Sequence, residues 1–208
     1  GTGSRGLLAG FMLSTAFMSM WISNTATSIM MLPIATSVLA VLPKASSERM
    51  ERSLLLSIAW AANIGGMATI IGTPPNMIFA GFLSEHLDRQ IGFVEWLPIG
   101  LSAALTIGLT AYIILSRSLR TLELSSQEQK ETEHYLQQEW DRLGSINKAQ
   151  RKVAIIFTST AFLWIMRPYL GALSTHIHWS DTGISLLAAV LLFSLTGESG
   201  KNLLDWES

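Results

Sequence analysis

The polar stretch Ser23-Asn24-Thr25-Ala26-Thr27-Ser28 lies in the middle of an uncharged run, Gly6–Pro43. As a single helix, these 38 residues would extend about 57 Å, nearly twice the thickness of the hydrocarbon core of a bilayer. The run is therefore predicted to fold back at the polar stretch, leaving apolar arms at about Leu7–Ile22 and Ile29–Leu42. Each arm is about 21–24 Å long, which is too short to cross comfortably. We expect residues 1–43 to form a re-entrant helical hairpin.

Charge is scarce in the chain and unevenly distributed. Of 208 residues, 14% are charged, and the mean hydropathy is +0.38, whereas soluble domains carry about 25% charge. Residues 117–152 alone hold 13 of the 29 charged side chains. The net charge of −1 provides no basic surface for nucleic acid, and the lack of cysteine excludes disulfides and thiolate metal sites. The composition predicts an integral membrane protein.

Four further uncharged runs are predicted to be membrane helices. Leu97–Ser116 has the length of one crossing, and Ser53–Ser84 is long enough for a crossing with an interruption. Val153–Met166 must continue past Arg167 towards Leu173 to reach across, and Thr182–Gly197 is a short crossing. The expected fold is all-α and membrane-embedded, combining a re-entrant hairpin with broken and continuous transmembrane helices.

The predicted organisation places charged segments on one side of the membrane. Its parts are a hairpin (1–43), a broken transmembrane helix (53–89), a transmembrane helix (95–116), a cytoplasmic charged linker (117–152), two transmembrane helices (153–197) and the cytoplasmic start of a next element (198–208). The cytoplasmic segments then hold 12 of the 14 Lys and Arg residues, as the positive-inside rule requires. Within the linker, an amphipathic helix near the membrane and a solvated connection are both open alternatives.

The second run is interrupted by glycine and proline. Asn63-Ile64-Gly65-Gly66 is followed by Gly72-Thr73-Pro74-Pro75-Asn76. Two consecutive prolines remove two helix N–H donors, and the residue before a proline is driven out of the α region. We therefore expect Thr73 to be extended and the helix to be unwound at mid-membrane.

The hairpin tip and the unwound loop are both rich in neutral oxygen atoms. At the tip, the carbonyl end of the first arm suits a cation, and the N–H end of the second arm suits an anion. Neutral hydroxyl, amide and carbonyl oxygens suit a hard ion such as Na⁺, and no acidic residue accompanies them. Discontinuous helices with polar breaks are the usual construction of ion and substrate sites in secondary transporters.

The two motifs together resemble a known family. Ser19-Met20-Trp21-Ile22-Ser23-Asn24-Thr25-Ala26-Thr27 and the run from Ala62 to Asn76 closely resemble the divalent anion:sodium symporters, the INDY-like dicarboxylate, citrate and sulfate transporters. The resemblance implies an elevator-type, homodimeric transporter built from two inverted repeats, each with one hairpin and one broken helix. It also implies ligand roles, for Na⁺ at Ser19, Ser23, Asn24 and Gly72, and for the substrate at Asn24, Thr25, Thr73 and Pro74.

The match covers the transport region of the first repeat and the start of the second. A second Ser-Asn-Thr tip is not found after Thr25. We therefore expect a fragment that supplies half of the Na⁺ and substrate site and does not transport by itself. The predicted partners are a small anionic substrate, the bilayer of a plasma or inner membrane and the remainder of the transporter. A passive anion channel or a structural membrane subunit is the alternative, and the absence of the usual catalytic motifs argues against an enzyme.

Overall fold

A computed structural model describes residues 3–40, 42, 44–119, 125–173, 180–196 and 203–204. These residues form helices without any β-strand, which confirms the all-α prediction for this part of the chain. The helices are α1 (Ser4–Ser19), α2 (Asn24–Ala40), α3 (Lys44–Ala68), α4 (Pro74–Leu87), α5 (Phe93–Ser118), α6 (Ser126–Leu143), α7 (Lys148–Leu173) and α8 (Asp181–Ser194). Except for residues 203–204, the element predicted at 198–208 lies outside the described residues.

The turn between α1 and α2 is shorter than the sequence suggested. It comprises residues 20–23, so the polar residues from Asn24 to Ser28 belong to α2 and not to the turn. The reason is helix capping, since a Ser side chain can accept from an N–H of the first turn. Ser23 Oγ accepts from Ala26 N at 3.3 Å, and Ser23 O accepts the first helical bond, from Thr27 N at 3.0 Å. The re-entrant position of this helix pair in a membrane stays a prediction.

The second uncharged run is divided between α3 and α4, with residues 69–73 between them. Pro74 and Pro75 occupy the first two positions of α4, where their missing N–H groups cost no intrahelical bond. Thr73 is extended, with φ −150° and ψ 142°, as the prolines predicted. However, α3 begins at Lys44, so its first turns carry charged residues that the prediction had placed before the helix.

Residues 1–143 form one compact unit whose core lies between α1, α2, α3 and α5. The buried stripe of α3 repeats every three or four residues, as an α-helix with one packed face requires. Its largest members are Met50, Leu54 and Ile58. α3 approaches α1 closely at Gly65, where a Cβ atom would lie 2.1 Å from Ala16 O. Small residues allow helix backbones to approach in this way.

Part of the charged linker predicted at 117–152 forms α6. Thr132 is fully buried and Tyr135 packs against the core of the first unit, while Trp140 and Leu143 are exposed. One side of α6 therefore belongs to the folded unit. A solvated connection, one of the two alternatives for this segment, does not predict such packing.

Residues 144–208 form the second unit, in which α7 packs against α8. α7 continues past Arg167, as its length requirement predicted. Arg167 Nε lies 3.2 Å from Asp181 Oδ1, and Trp164 Nε1 donates to Asp181 O at 3.1 Å. At the other end, Lys152 Nζ donates to Thr196 O at 2.7 Å. Polar contacts thus join the two helices near both of their ends.

Two of the described helices are long and apolar enough to cross a membrane, Phe93–Ser118 and Lys148–Leu170. α2 and α8 are shorter apolar helices. The broken crossing predicted over residues 53–89 stays a prediction, because α3 is long enough but not apolar enough to meet this criterion and the 14-residue α4 is too short.

Candidate cation and anion site

The α1–α2 turn and the α3–α4 break lie against each other. Ser19, the last residue of α1, is fully buried, and its Oγ lies 2.7 Å from Ala62 O of α3 and 2.9 Å from Asn24 Oδ1. Thr69, the first residue of the break, donates through Oγ1 to Met20 O at 2.5 Å. Two segments that are distant in sequence, residues 19–24 and 62–69, therefore meet at a group of neutral oxygen atoms.

The position of the Ser19 hydroxyl determines which charge can bind beside it. The Ser19 hydroxyl can donate to Asn24 Oδ1 or to Ala62 O, but it has only one proton, and the contact with Ala62 O is the shorter one. When the proton points to Ala62 O, a lone pair of Ser19 Oγ faces Asn24 Oδ1 across 2.9 Å. Two oxygen lone pairs at this distance repel each other, and a cation that binds both of them removes the repulsion. The pair is therefore suited to a monovalent cation that prefers oxygen.

Glycines make room for these oxygen atoms. A Cβ atom on Gly66 would lie 2.3 Å from Asn24 Oδ1, so a side chain at this position would displace the amide. A Cβ atom on Gly72 would lie 2.6 Å from Gly66 O, so the break folds back closely onto the end of α3. Gly66 thus connects Asn24 to Gly72 by direct packing.

The end of α3 is stabilised by side chains from other helices. The last carbonyls of a helix have no intrahelical donor. Asn76 of α4 is buried, and its Nδ2 donates to Gly66 O at 2.9 Å and to Thr69 O at 2.8 Å. Trp96 of α5 donates through Nε1 to Met67 O at 3.0 Å. These bonds allow α3 to end inside the protein with the Gly66 and Met67 carbonyl groups satisfied.

The two helices that begin near the site differ as anion sites. In α2, the N–H groups of Asn24 and Thr25 precede the first intrahelical bond, so they belong to the donors that a helix N-terminus leaves without intrahelical partners. In α4, the first two residues are prolines without N–H groups, and Asn76 N donates to Thr73 O at 3.1 Å. A carboxylate would therefore find more backbone donors at the start of α2 than at the start of α4.

The structure brings together some of the predicted site residues. Ser19 and Asn24 are in direct contact, and Gly72 reaches them through Gly66. Ser23 lies beside them in the turn, where its exposed side chain caps α2. The residues predicted to contact substrate are less enclosed, since Thr25 and Pro74 are exposed and Thr73 is half-buried. The ligand roles of all these residues stay predictions.

Sequence reasoning assigned no role to several residues that build the site. Asn63 accepts from Asn24 Nδ2 at 3.2 Å, and Gly66, Thr69 and Asn76 hold the break in place. Asn63, Gly66 and Asn76 lie in the motifs that drew attention to the break, so their part in the site could have been suspected. Thr69 lies between the motifs and carried no separate signal.

A hairpin and a broken helix that meet at neutral oxygens are typical of the ion and substrate sites of secondary transporters. In agreement with this class, residues 1–207 match the citrate transporter (CitMHS) family, and the chain belongs to it. It is similar to the sodium-dependent dicarboxylate transporter SdcS of Staphylococcus aureus strains NCTC 8325 / PS 47, COL and N315, with 29% identity in each case. Each alignment covers 226 positions, 100% of this chain and 42% of the relative. The chain thus spans less than half the length of these relatives.

Proposed function

We propose that this chain supplies one half of a sodium-coupled site that transports a divalent carboxylate anion such as succinate, malate or citrate. Na⁺ binds at Ser19, Ser23, Asn24 and Gly72, and the substrate is held at Asn24 and Thr25, with Thr73 and Pro74 in the adjoining loop. The observation that carries the proposal is the contact between Ser19 Oγ and Asn24 Oδ1, two oxygens that a cation would bridge. The relatives' names, which include sodium and dicarboxylate, point to the same ligands.

The order of binding follows from charge. Na⁺ binds first, because the neutral oxygen atoms around Asn24 attract a cation and repel an anion. The ion's charge, together with the free N–H groups at the start of α2, then makes the entry of a dianion favourable. Coupling arises because the same residue, Asn24, contacts both ligands.

The remainder of the site is proposed to come from the rest of the transporter, which also provides the second repeat and the homodimer contacts. In an elevator mechanism, the hairpin and the broken helix move together across the plasma or inner membrane. The close packing of Gly65 against Ala16 and of Gly72 against Gly66 supports movement of these segments as one body.

Sodium dependence of transport tests the proposal against its main alternative. The complete transporter is reconstituted in proteoliposomes, and uptake of labelled succinate, citrate and sulfate is measured with a Na⁺ gradient and with K⁺ in its place. Symport predicts carboxylate uptake only with Na⁺ and a loss of that uptake in Asn24→Ala. Equal flux in Na⁺ and K⁺ would instead favour a passive anion channel.

A further inference from the structure

The orientation of the Asn24 side chain is determined by a series of hydrogen bonds that begins at a backbone carbonyl. Asn63 Nδ2 donates to Ala59 O at 2.8 Å. Because a carbonyl oxygen can only accept, this bond identifies which end of the Asn63 amide carries nitrogen. The other end, Oδ1, is directed to Asn24 and accepts from Asn24 Nδ2 at 3.2 Å.

The same reasoning extends to Asn24. Since its nitrogen donates to Asn63, its oxygen faces Ser19 Oγ at 2.9 Å and lies over Gly66, where a Cβ atom would come within 2.3 Å of it. If the amide were rotated by half a turn, its NH₂ group would face Ser19 instead. That arrangement would form an ordinary neutral hydrogen bond to the hydroxyl and would present two donors to an incoming cation, which they would repel.

We propose that Asn63 is a positioning residue that keeps the oxygen of Asn24 directed towards the cation site. This inference rests on the proposed Na⁺ site but adds a residue to which no role in the site has been assigned. Asn63 itself is exposed, and its amide is already engaged by Ala59 O and Asn24, so it acts through Asn24 and not as a ligand. Its effect is on the affinity for Na⁺, whereas the donors at the start of α2 are unaffected.

Four variants of the complete transporter separate this role from packing. Asn63→Ala removes the side chain, and Asn63→Leu restores its size without its polarity. Asn63→Asp retains an oxygen that accepts from Asn24 Nδ2. Leu56→Ala is the matched control, because Leu56 is exposed and lies two turns earlier on the same face of α3. Because Asn63 is exposed, none of these changes is expected to unfold the protein.

The measurements are the Na⁺ concentration for half-maximal thermal stabilisation of the purified protein and the succinate KM at saturating Na⁺. For Asn63→Ala and Asn63→Leu, we expect the half-maximal Na⁺ concentration to rise about tenfold, the effect of losing about one hydrogen bond, with the succinate KM unchanged. Leu56→Ala should stay within about threefold of the unsubstituted protein, less than half a hydrogen bond in free energy. Asn63→Asp should need no more Na⁺ than Leu56→Ala, because it keeps the acceptor and adds a negative charge near the cation.

Asn24→Ala distinguishes failure of this inference from failure of the proposed function. A normal Na⁺ response in Asn63→Leu would overturn the positioning role. If Asn24→Ala lost its Na⁺ response in the same experiment, the proposed Na⁺ site would still stand. If Asn24→Ala also responded normally, both the site and the positioning role would be wrong. An equal rise in the Na⁺ requirement and in the succinate KM of Asn63→Leu would also overturn the inference, because it would indicate a general structural effect.

Discussion

The side-chain amide of Asn76 donates to Gly66 O at 2.9 Å and to Thr69 O at 2.8 Å, so a residue of α4 caps the end of α3 across the break. Both of the amide's protons are used, and the side chain is buried. The break is therefore an ordered part of the fold in which Gly66 O and Thr69 O have hydrogen-bond donors, and its stability depends on Asn76.

Replacement of Asn76 by Ala is expected to destabilise the protein by about 1–3 kcal/mol, because Gly66 O loses its side-chain donor while Thr69 O retains only the bond from Gly72 N at 3.3 Å. Asn76→Asp has the same shape but brings oxygen next to both carbonyls, so it should be at least as damaging. The measurement is denaturant or thermal unfolding of the purified protein without Na⁺. Gln137→Ala, an exposed amide on α6, is the control and should change stability by less than about 0.5 kcal/mol. A similar small effect in Asn76→Ala would contradict the capping role.

Two helical glycines should respond to Ala substitution in opposite directions. At Gly65 the new Cβ would lie 2.1 Å from the backbone oxygen of Ala16, which cannot move without separating α1 from α3. Gly65→Ala should therefore prevent stable folding. A Cβ atom on Gly81 meets nothing within 4 Å, so Gly81→Ala should stabilise α4 by up to about 1 kcal/mol. Yield and melting temperature of the two variants provide the test, and equal behaviour would refute the close α1–α3 contact.

Gly66→Ala should affect ion binding more than stability. Its Cβ would lie 2.3 Å from Asn24 Oδ1, and a side chain can rotate away where a backbone cannot. We expect the melting temperature without Na⁺ to fall only modestly, while the stabilisation by Na⁺ is lost. Thermal unfolding across a Na⁺ series checks both expectations. Retention of the Na⁺ response would show that the position of Asn24 is not important for binding.

Trp96 is expected to stabilise the break through its indole nitrogen. Trp96→Phe keeps an aromatic ring beside Phe79 but removes the donor to Met67 O, so a loss of about 1–2 kcal/mol is expected. Trp140→Phe is the matched control, because Trp140 is 71% exposed, and it should have little effect. Comparison of the two unfolding curves tests the prediction, and equal curves would argue against it.

The elements that follow directly from local chemistry could be predicted from the sequence. The fold-back of the first run followed from its length and its polar middle, and the extended Thr73 followed from the two prolines. The ends of the helices were harder to predict, because the polar residues after Ser23 could form the start of a helix once Ser23 capped it. The start of α3 at Lys44 was missed because the prediction followed charge, whereas helices tolerate charged first turns.

In the site, too, features of local sequence could be predicted, whereas contacts between helices could not. Asn24 and Gly72 were predicted as Na⁺ ligands from motifs that the family resemblance made specific, and that role stays a prediction. The roles of Asn63 and Asn76 depend on contacts between residues of different helices, or on which carbonyl an amide reaches, and a single sequence does not contain that information. The bond from Thr69 to Met20 O, which joins the break to the turn, is of the same kind.

The central claim is that Ser19 and Asn24 bind Na⁺, and direct titration of Na⁺ into the purified complete transporter by calorimetry tests it most directly. Asn24→Ala and Ser19→Ala are compared with Thr36→Ala, a change of an exposed hydroxyl farther along α2. The predicted result is that Thr36→Ala binds Na⁺ like the unsubstituted protein, while the other two bind at least about tenfold more weakly, as loss of one oxygen ligand implies. Unchanged Na⁺ affinity in Asn24→Ala would contradict the account.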